Sequence, residues 1–457
     1  MVVQHNMQAA NANRMLNVTT SAQSKSTEKL SSGYRINRAA DDAAGLTISE
    51  KMRKQIKGLD RASTNAEDGV SAVQTAEGAL TEVHSMLQRM NELATQSANG
   101  TNSNTDRKAI QDEIDQLTTE IDRVSETTKF NETYLLKGDK GATKNVYMNG
   151  HDAGLKGTLT DSAKSATFVM DELKAGNKVT IAGKEYSIGS TVADAKASYA
   201  KAADGDKVTI DGTEYTVVGA TGTEDAGANK LKVTSLDAKV KDGSVVSYKT
   251  SKLTVMTDKD NDGVDDDDSS VISKDIAEGK IVSELTAANN IGTVNHAATV
   301  AKATADGKTT YTISKGYATV ADTLSFNLHV GADADMTNKI NVSIDSMDSA
   351  SLGIKGLNIK DDSGNAATYA VDAISDAISK VSSQRSSLGA VQNRLEHTIN
   401  NLDNVVENTT TAESRIRDTD MASEMVNYSK NNILAQAGQS MLAQANQSTK
   451  GVLSLLQ

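Results

Sequence analysis

Apolar residues at alternating three- and four-residue steps run through both ends of the chain and are missing from its middle. In the first half the repeat occupies Met52, Ile56, Leu59, Ala66, Val70, Val73, Leu80 and Leu87, then Ile110, Ile114, Leu117, Ile121 and Val124. Near the other terminus it occupies Val371, Ile374, Ile378, Val381, Leu388, Leu395, Ile399, Leu402 and Val406. This spacing predicts long helices that each carry one narrow apolar stripe.

A narrow stripe cannot be buried by its own helix, because most helical stability comes from packing the apolar face against another element. The N-terminal and C-terminal segments are therefore expected to pair with each other. The predicted fold class is mainly α at the termini, as a long antiparallel coiled coil or helical bundle made by this pairing, with an inserted β-rich outer region. The first long helix is expected from about residue 46 to about residue 99, where turn-forming residues begin.

The middle of the chain, roughly residues 139–360, is rich in Gly, Thr and Asp and reads as short β-strands. One unit occurs twice, as GNKVTIAGKEY at 176–186 and GDKVTIDGTEY at 205–215. Each copy predicts a hairpin that turns at Ala182-Gly183 or at Asp211-Gly212. Duplicated β modules indicate an enlarged outer surface and not a catalytic site.

The composition removes several classes of chemistry. The chain contains no Cys, no Pro and no Trp, and its formal net charge is −12. Without Cys there are no disulfides, thiol nucleophiles or thiolate metal sites. Without Pro the long helices have no Pro kinks and refolding meets no slow prolyl isomerisation. No apolar stretch predicts a membrane span or secretory signal, and no nucleic-acid-binding module is recognisable, so we expect neither membrane insertion nor nucleic-acid binding.

In the middle of the chain, only the acidic stretch at 258–269 suggests a chemical function. The residues Asp258, Asp260 and Asp262 alternate before Gly263, and Asp266 follows three residues later. This spacing resembles the start of a calcium loop, in which oxygen ligands converge around a Gly at a sharp turn. The Glu expected at the twelfth position is replaced by Ser269. Two interpretations stay open, a Ca²⁺ site with these four Asp as ligands and a solvated acidic turn without a cofactor.

Enzymatic motifs are missing. No His-Glu-x-x-His helix, which a zinc protease would need, occurs in the sequence. The stretch Gly307-Lys308-Thr309 lacks the earlier Gly of a phosphate loop, since Lys302 occupies that position. We therefore predict that the protein is not an enzyme.

Both termini carry segments that resemble bacterial flagellins. The matching stretches are LSSGYRINRAADDAAGL at 30–46, QRMNELATQSANGT at 88–101, SRIRDTD at 414–420, QAGQSMLAQAN at 436–446 and VLSLLQ at 452–457. They follow one another in the family's order over roughly half of the chain. The resemblance implies a structural subunit that self-assembles into the extracellular flagellar filament for swimming motility, after export in an unfolded state by the flagellar type III apparatus.

The resemblance also implies a division into five regions. These are an N-terminal inner-tube helix and basic linker (1–45), an N-terminal helical rod (46–138), a variable β-rich surface-exposed insert (139–360), a C-terminal helical rod (361–412) and a C-terminal inner-tube helix (413–457). The family's partners would be further copies of the chain in a helical homopolymer, an export chaperone on the C-terminal segment, the flagellar cap and the junction proteins.

Apolar residues in the outermost segments would serve self-assembly and chaperone binding. They are Leu16, Ile433, Leu434, Met441, Leu442, Val452, Leu453, Leu455 and Leu456. An exposed apolar segment is either an association surface or an aggregation liability. The alternative interpretation is that the C-terminal segment is simply a fourth helix of the monomer's own bundle.

A receptor-binding motif follows from the same resemblance. The family's outer helical shell is recognised by host Toll-like receptor 5, and the matching residues here are Gln88, Arg89, Leu93, Gln96 and Glu113. Arg89 would be the anchor, because an Arg in the centre of an interface often dominates affinity. The alternative is that Arg89 and Glu113 are surface charges that help subunits to pack.

The predicted function is therefore that of a flagellar filament subunit without enzymatic activity. One alternative is a hook–filament junction protein, which would share the terminal helices but occur in few copies. Another is a secreted calcium-dependent adhesin, in which the middle would be the binding module and the helices a stalk.

Overall fold

The computed structural model describes residues 6–361 and 364–454 of the chain. The chain divides into two compact units. Unit 1 consists of Met1–Ser71, Phe326–Val342 and Ala390–Gln457, and unit 2 of Ala72–Ser325 and Ser343–Gly389. The division into five regions stays a prediction.

Long helices lie at both ends of the sequence, as the apolar repeats predict. The helices are α1 (Met7–Ser32), α2 (Ala43–Ser97), α3 (Asn104–Thr127), α4 (Val192–Tyr199), α5 (Val233–Asp237), α6 (Lys274–Asn289), α7 (Ser349–Leu352), α8 (Asn365–Arg417) and α9 (Met421–Ser454). Short 3₁₀ helices cover Ala226–Ala228 and Met336–Asn338. The prediction of helical termini with a central strand-rich region is confirmed.

Strands occupy the middle of the sequence. They are β1 (Lys129–Phe130), β2 (Thr133–Tyr134), β3 (Asp139–Tyr147), β4 (Thr158–Asp161), β5 (Ser165–Asp171), β6 (Lys178–Ile181), β7 (Lys184–Ile188), β8 (Lys207–Ile210), β9 (Thr213–Val217), β10 (Lys230–Leu231), β11 (Val245–Tyr248), β12 (Ser251–Thr254), β13 (Val271–Ile272), β14 (Thr299–Ala305), β15 (Lys308–Ser314), β16 (Tyr317–Asp322), β17 (Leu324–His329) and β18 (Lys339–Ile344). The larger sheets have the strand orders β10-β9-β8-β11-β12, β13-β7-β6 and β14-β15-β5-β4, and β1-β2, β16-β3 and β17-β18 form two-stranded ribbons.

Unit 1 contains the pair α1 and α9, the first part of α2 and the last part of α8. Most of the ribbon β17-β18 also belongs to it. Buried Ala66, Ile340 and Leu395 form its core, and half-buried Val70, Leu328, Val330, Val391 and Ile399 pack around them. The stripe residues Ala66 and Leu395 thus face the ribbon and each other's helix, which is the burial that a narrow stripe requires.

In unit 2 the predicted helical stripes are buried most completely. Val73, Leu80 and Leu87 on α2, Ile114 and Ile121 on α3, and Ile374, Val381 and Leu388 on α8 are all fully buried. The start of α3 is fixed by a capping box, in which Ser103 accepts from the backbone of Asp106 and the Asp106 carboxylate accepts from the backbone of Ser103.

The two predicted hairpins are present with the predicted turns. Strand β6 pairs with β7 so that Ile181 faces Lys184, and β8 pairs with β9 so that Ile210 faces Thr213. Both residues of each turn have positive φ, with 53° and 74° at Ala182-Gly183 and 52° and 80° at Asp211-Gly212. This is the backbone of a type I′ turn, which suits the twist of a two-residue hairpin.

A third copy of this unit exists that the sequence did not reveal. The glycine amides at 176, 205 and 243 donate to the carbonyls of Ile188, Val217 and Val255, and these three residues donate back to the carbonyls at 177, 206 and 244. The third hairpin, β11-β12, is therefore closed at its open end by the same pair of backbone hydrogen bonds as the other two. Its turn at Lys249-Thr250 contains no Gly, which is why the pattern of the first two does not detect it.

Candidate assembly surface on the terminal helices

Helices α1 and α9 lie antiparallel to each other within unit 1. Asn6 Nδ2 donates to the carbonyl of Ala445 at 3.1 Å, while at the other end Lys29 Nζ lies 3.9 Å from Glu424 Oε2. Between these points a Cβ added at Gly438 would lie 3.4 Å from Leu16 Cδ1, so the missing side chain allows close approach of the two helices. The C-terminal segment therefore packs along α1.

Three of the five predicted assembly residues whose side chains are described are exposed on this helix pair. Ile433, Leu434 and Met441 are 67%, 47% and 59% exposed, whereas Leu16 and Leu442 are half-buried. A groove of about 730 Å³ between the two helices is lined by Leu16, Leu434 and Met441 among others. The predictions for Leu455 and Leu456 lie outside the described residues, and no side chain is described for Val452 or Leu453.

Further exposed apolar residues extend this surface beyond the predicted set. They are Met7, Met15 and Val18 on α1, and Met421, Met425 and Val426 on α9. Their apolar side chains do not follow a single helical stripe, so a search for regular periods does not detect them. The available signal was the occurrence of Met and Val among small polar residues in segments with few other apolar residues. Several exposed large apolar residues on one helix pair are typical of a protein that associates.

A junction in unit 1 explains why the flagellin-like segments at 30–46 and 414–420 belong together. The backbone N–H of Arg35 donates to the carbonyl of Arg417 at 2.7 Å, and the N–H of Thr419 donates to the carbonyl of Gly33 at 2.9 Å. Gly33, with φ of 76°, ends α1 in the left-handed conformation that Gly adopts readily. The two segments thus form one continuous backbone contact between the end of α1 and the link from α8 to α9.

The predicted receptor-binding residues do not all share one environment. Gln88, Arg89, Gln96 and Glu113 are exposed, and Arg89 Nε donates to Glu113 Oε1 at 2.9 Å. This hydrogen bond raises the pKa of Arg89 above its usual value. Leu93 is only 2% exposed. The expectation that its side chain is available to a partner is therefore wrong for this structure, because Leu93 belongs to the buried core.

A second carboxylate at the same site was missed in the sequence. Arg89 Nη1 donates to Glu92 Oε2 at 3.2 Å, so the guanidinium lies between Glu92 and Glu113. The position of Glu92 three residues after Arg89 on a helix could have revealed this contact, since such pairs face each other. The result is an exposed ion-pair cluster on α2 and α3.

The acidic loop brings three of its four predicted ligands together. Oxygen atoms of Asp258, Asp260 and Asp262 all lie within 4.8 Å of one another, and Gly263 has φ of 79°. Asp258 Oδ2 accepts from the backbone N–H of Gly263 at 3.0 Å, while Asp258 Oδ1 is buried without a hydrogen-bond partner. These donors are the hard oxygen ligands that suit Ca²⁺.

The fourth predicted ligand lies elsewhere. Asp266 is not in this group, and its Oδ2 accepts from the backbone N–H of Lys259 at 2.9 Å. The neighbouring Asp265 is 5% exposed and accepts from the backbone of Thr257 at 3.0 Å. The loop is thus held by its own carboxylates, and the prediction that Asp266 joins the other three is wrong for this structure.

Within residues 6–361 and 364–454, none of the helices combines the length and the apolar composition of a membrane span.

Comparison with known proteins agrees with the arrangement of the two ends. The family model of the bacterial flagellin N-terminal helical region matches residues 3–141, and that of the bacterial flagellin C-terminal helical region matches residues 371–456. The chain is 41% identical to a flagellin from Clostridium tyrobutyricum over 460 residues, which covers 98% of this chain and 100% of the relative. It is 36% identical to a flagellin from Bacillus subtilis strain 168 over 458 residues, with full coverage of both.

A similarity is also found to the solved structure of FliC from Burkholderia pseudomallei. The sequence identity is 16% and the TM-score 0.27, with 71% of this chain and 99% of that chain covered. At this TM-score the similarity does not inform on the fold of this chain.

The paired helical ends and their exposed apolar surface define a self-associating structural protein. The chain belongs to the bacterial flagellin family. Flagellins are structural subunits that polymerise into the extracellular filament of the flagellum, and they are not enzymes. The predictions of family, filament function, location and absence of enzymatic activity are thereby confirmed.

Proposed function

We propose that the exposed apolar faces of α1 and α9 are the surface through which each subunit binds its neighbours in the filament. The observation that carries this proposal is the exposure of Ile433, Leu434 and Met441 on a helix that already packs along α1. Two paired helices can bury only the faces that they turn toward each other. The remaining apolar surface is stabilised when further copies cover it.

Assembly is then coupled to the ordering of the terminal helices on the growing tip. A helix pair gains little stability by itself, because helix formation depends on tertiary packing. Each subunit that docks supplies the missing contacts for α1 and α9 of its neighbours. The absence of Pro, which avoids slow prolyl isomerisation, supports fast folding on arrival.

A substitution in α9 tests the assembly surface. Ile433→Asp places a charge on the 67% exposed face without filling or emptying a core position. We expect the variant to remain helical by circular dichroism and to form no long filaments by negative-stain electron microscopy, after incubation with a precipitating salt or with filament seeds. The matched control is Val294→Asp, at a position in unit 2 that is 49% exposed and far from α9 in sequence. Normal filaments from Ile433→Asp would contradict the proposal.

Truncation from residue 433 onwards gives an independent test of the same surface. We expect the shortened chain to stay soluble and not to polymerise, since it lacks much of the apolar surface of α9. If the shortened chain still formed filaments, the C-terminal segment would not be needed for assembly.

Export and swimming motility are further parts of the proposed function. The chain would leave the cell unfolded through the flagellar type III apparatus, and an export chaperone would cover the apolar face of α9 from Ile433 onwards until then. In the flagellum its other neighbours would be the cap and junction proteins. The support for these partners is family membership together with the exposed apolar residues on α9 that need a cover before assembly.

Recognition by Toll-like receptor 5 is proposed for the exposed cluster on α2 and α3. Gln88, Arg89, Gln96 and Glu113 supply polar groups on this surface, and Arg89 is preorganised by its two carboxylate neighbours. A fixed guanidinium loses less conformational freedom when a partner binds. Leu93 would support the helix from inside and would not contact the receptor.

A further inference from the structure

A histidine lies at the contact between the β-rich insert and α8, and it is not part of the proposed assembly surface. His151 lies in the loop of residues 148–157 between β3 and β4, and its Nε2 is 3.4 Å from Asp376 Oδ2 on α8. The His151 side chain is only 16% exposed. The same loop carries Ala153 and Leu155 into a core cluster that also contains Phe168 and Tyr311.

The backbone of His151 is held at the same place by α6. Its N–H donates to Asn289 Oδ1 at 2.9 Å, and its carbonyl accepts from Asn289 Nδ2 at 2.9 Å. Asn289 is 3% exposed and lies at the end of α6. His151 therefore joins three elements of unit 2, which are its own loop, α6 and α8.

The charged groups around His151 are mostly carboxylates. On α8 they are Asp372, one turn before Asp376, and Lys380, one turn after it, and on the loop itself Asp152 follows directly. The α6 side contributes the neutral amide of Asn289. Lys380 is committed to another contact, because its Nζ donates to the carbonyl of Ser351 at 3.2 Å. A neutral imidazole would leave Asp372, Asp376 and Asp152 with little positive charge nearby.

We propose that the contact between His151 and Asp376 is a pH-sensitive clasp, which ties the loop of residues 148–157 to α8 when His151 is protonated and loosens when His151 is neutral. Histidine is the side chain whose charge changes between about pH 5 and 8. A charge change at this half-buried position acts on three elements at once. All residues of the clasp belong to unit 2, so the proposal does not depend on the assembly surface of α1 and α9.

The direction of the effect follows from the pKa values of the groups involved. Burial alone would lower the pKa of His151, but the hydrogen bond to Asp376 and the charges of Asp376, Asp372 and Asp152 outweigh it and raise the pKa above 6.5. The clasp is therefore fully formed below pH 6.5 and is lost as the pH rises through the raised pKa.

The pH range in which the clasp is formed also has a lower limit, which is set by protonation of Asp376. Burial would raise the pKa of Asp376, but its hydrogen bond to His151 lowers it below 3.8. Asp376 therefore stays ionised through mild acid, and its partner role is lost only as the pH falls through that lowered pKa. Burial raises the pKa of Asp372, so its negative charge, which favours protonated His151, is lost at a higher pH than that of Asp376.

Amide hydrogen exchange on the full-length chain tests the clasp directly. The readout is the protection of peptides that cover residues 148–157, corrected for intrinsic exchange rates, at about pH 5.5 and about pH 8. We expect the wild type to be several-fold more protected at the lower pH. Equal protection at both pH values in the wild type would overturn the proposal.

Two variants locate the effect. His151→Gln should abolish the pH dependence, while the control His397→Gln, at an exposed position on α8, should retain it. Asp376→Asn keeps the shape and the imidazole but removes the carboxylate, so it should reduce the pH dependence even if His151→Gln fails to fold. Full pH dependence in Asp376→Asn would also overturn the proposal.

Discussion

Arg417 lies over the ring of Tyr34, with its guanidinium carbon 4.9 Å from the ring centroid. Its Nη1 donates to Glu50 Oε1 at 2.6 Å, and the guanidinium of Arg53 lies 5.9 Å from the same ring. Tyr34 follows α1, Glu50 and Arg53 lie on α2, and Arg417 ends α8. One aromatic ring in unit 1 thus brings the ends of three helices together.

Removal of the Arg417 side chain should weaken this junction. We expect Arg417→Ala to lower the free energy of unfolding by about 1 to 3 kcal/mol, because it removes a cation–π contact and an ion pair and leaves Tyr34 uncovered. Chemical denaturation followed by circular dichroism measures the effect. The control is Arg38→Ala, whose side chain is 74% exposed in its ion pair with Glu28, and which should change stability very little. Equal effects of both variants would mean that the stacked ring contributes nothing.

At two glycines of α2, substitution by Ala is expected to change stability in opposite directions. A Cβ at Gly69 would overlap Leu328 Cδ1 of the ribbon, whereas a Cβ at Gly78 would meet no atom within 4 Å. Gly69→Ala should therefore be destabilising, because overpacking costs about 1 to 3 kcal/mol and exceeds the gain in helix propensity. Gly78→Ala should be stabilising by up to about 1 kcal/mol. Thermal unfolding of the two variants measures the difference, and a stabilised Gly69→Ala would show that the Leu328 side chain moves aside at little cost.

Receptor recognition can be separated from subunit packing at Arg89. We expect Arg89→Ala to lower the potency of the chain on cells that express Toll-like receptor 5 by tenfold or more, as for a central Arg in an interface. The control is Arg123→Ala on α3, an exposed Arg that also pairs with a Glu one turn away. Filament formation by both variants is measured in parallel. If Arg89→Ala loses filaments but keeps potency, Arg89 serves packing and not the receptor.

Calcium binding by the acidic loop stays a prediction with a direct test. Three carboxylates around Gly263 should bind Ca²⁺ weakly, in the range of about 10⁻⁴ to 10⁻³ M that extracellular modules show. Millimolar Ca²⁺ should then raise the melting temperature of the wild type but not that of a variant with Asp258→Asn and Asp260→Asn. The matched control is Asp306→Asn, at an exposed turn of another hairpin. A flat titration would leave the solvated acidic turn as the interpretation.

Short-range features of the sequence predicted the elements well. The helices α2, α3 and α8 followed from apolar residues at three- and four-residue steps, since this period is a local property of a helix face. The hairpins at Ala182-Gly183 and Asp211-Gly212 followed from residues that tolerate positive φ. The third hairpin was missed because its turn at Lys249-Thr250 lacks such a Gly, and only the shared hydrogen bonds of the backbone identify it.

The polar face of α8 shows why other contacts could not be predicted. Asp376, Lys380 and Gln384 recur every four residues and would be taken for a solvated face. In the structure Asp376 meets His151, Lys380 donates to the carbonyl of Ser351, and Gln384 donates to the carbonyl of Ser343 at 3.1 Å. The partners of such a polar stripe are residues distant in sequence. The composition of the stripe does not show which residues these are.

The sequence by itself determined the family, the helical ends, the two-residue turns and the surplus of apolar residues in the terminal segments. These depend on local periods, turn residues and motifs that are read directly along the chain. Only the tertiary structure decided that Leu93 is buried beside an exposed Arg89, that Asp266 accepts from the backbone N–H of Lys259 and is not in the group of the other three carboxylates, and that His151 reaches α8. Burial and partner choice are set by how segments far apart in sequence pack, and that packing is a property of the whole fold.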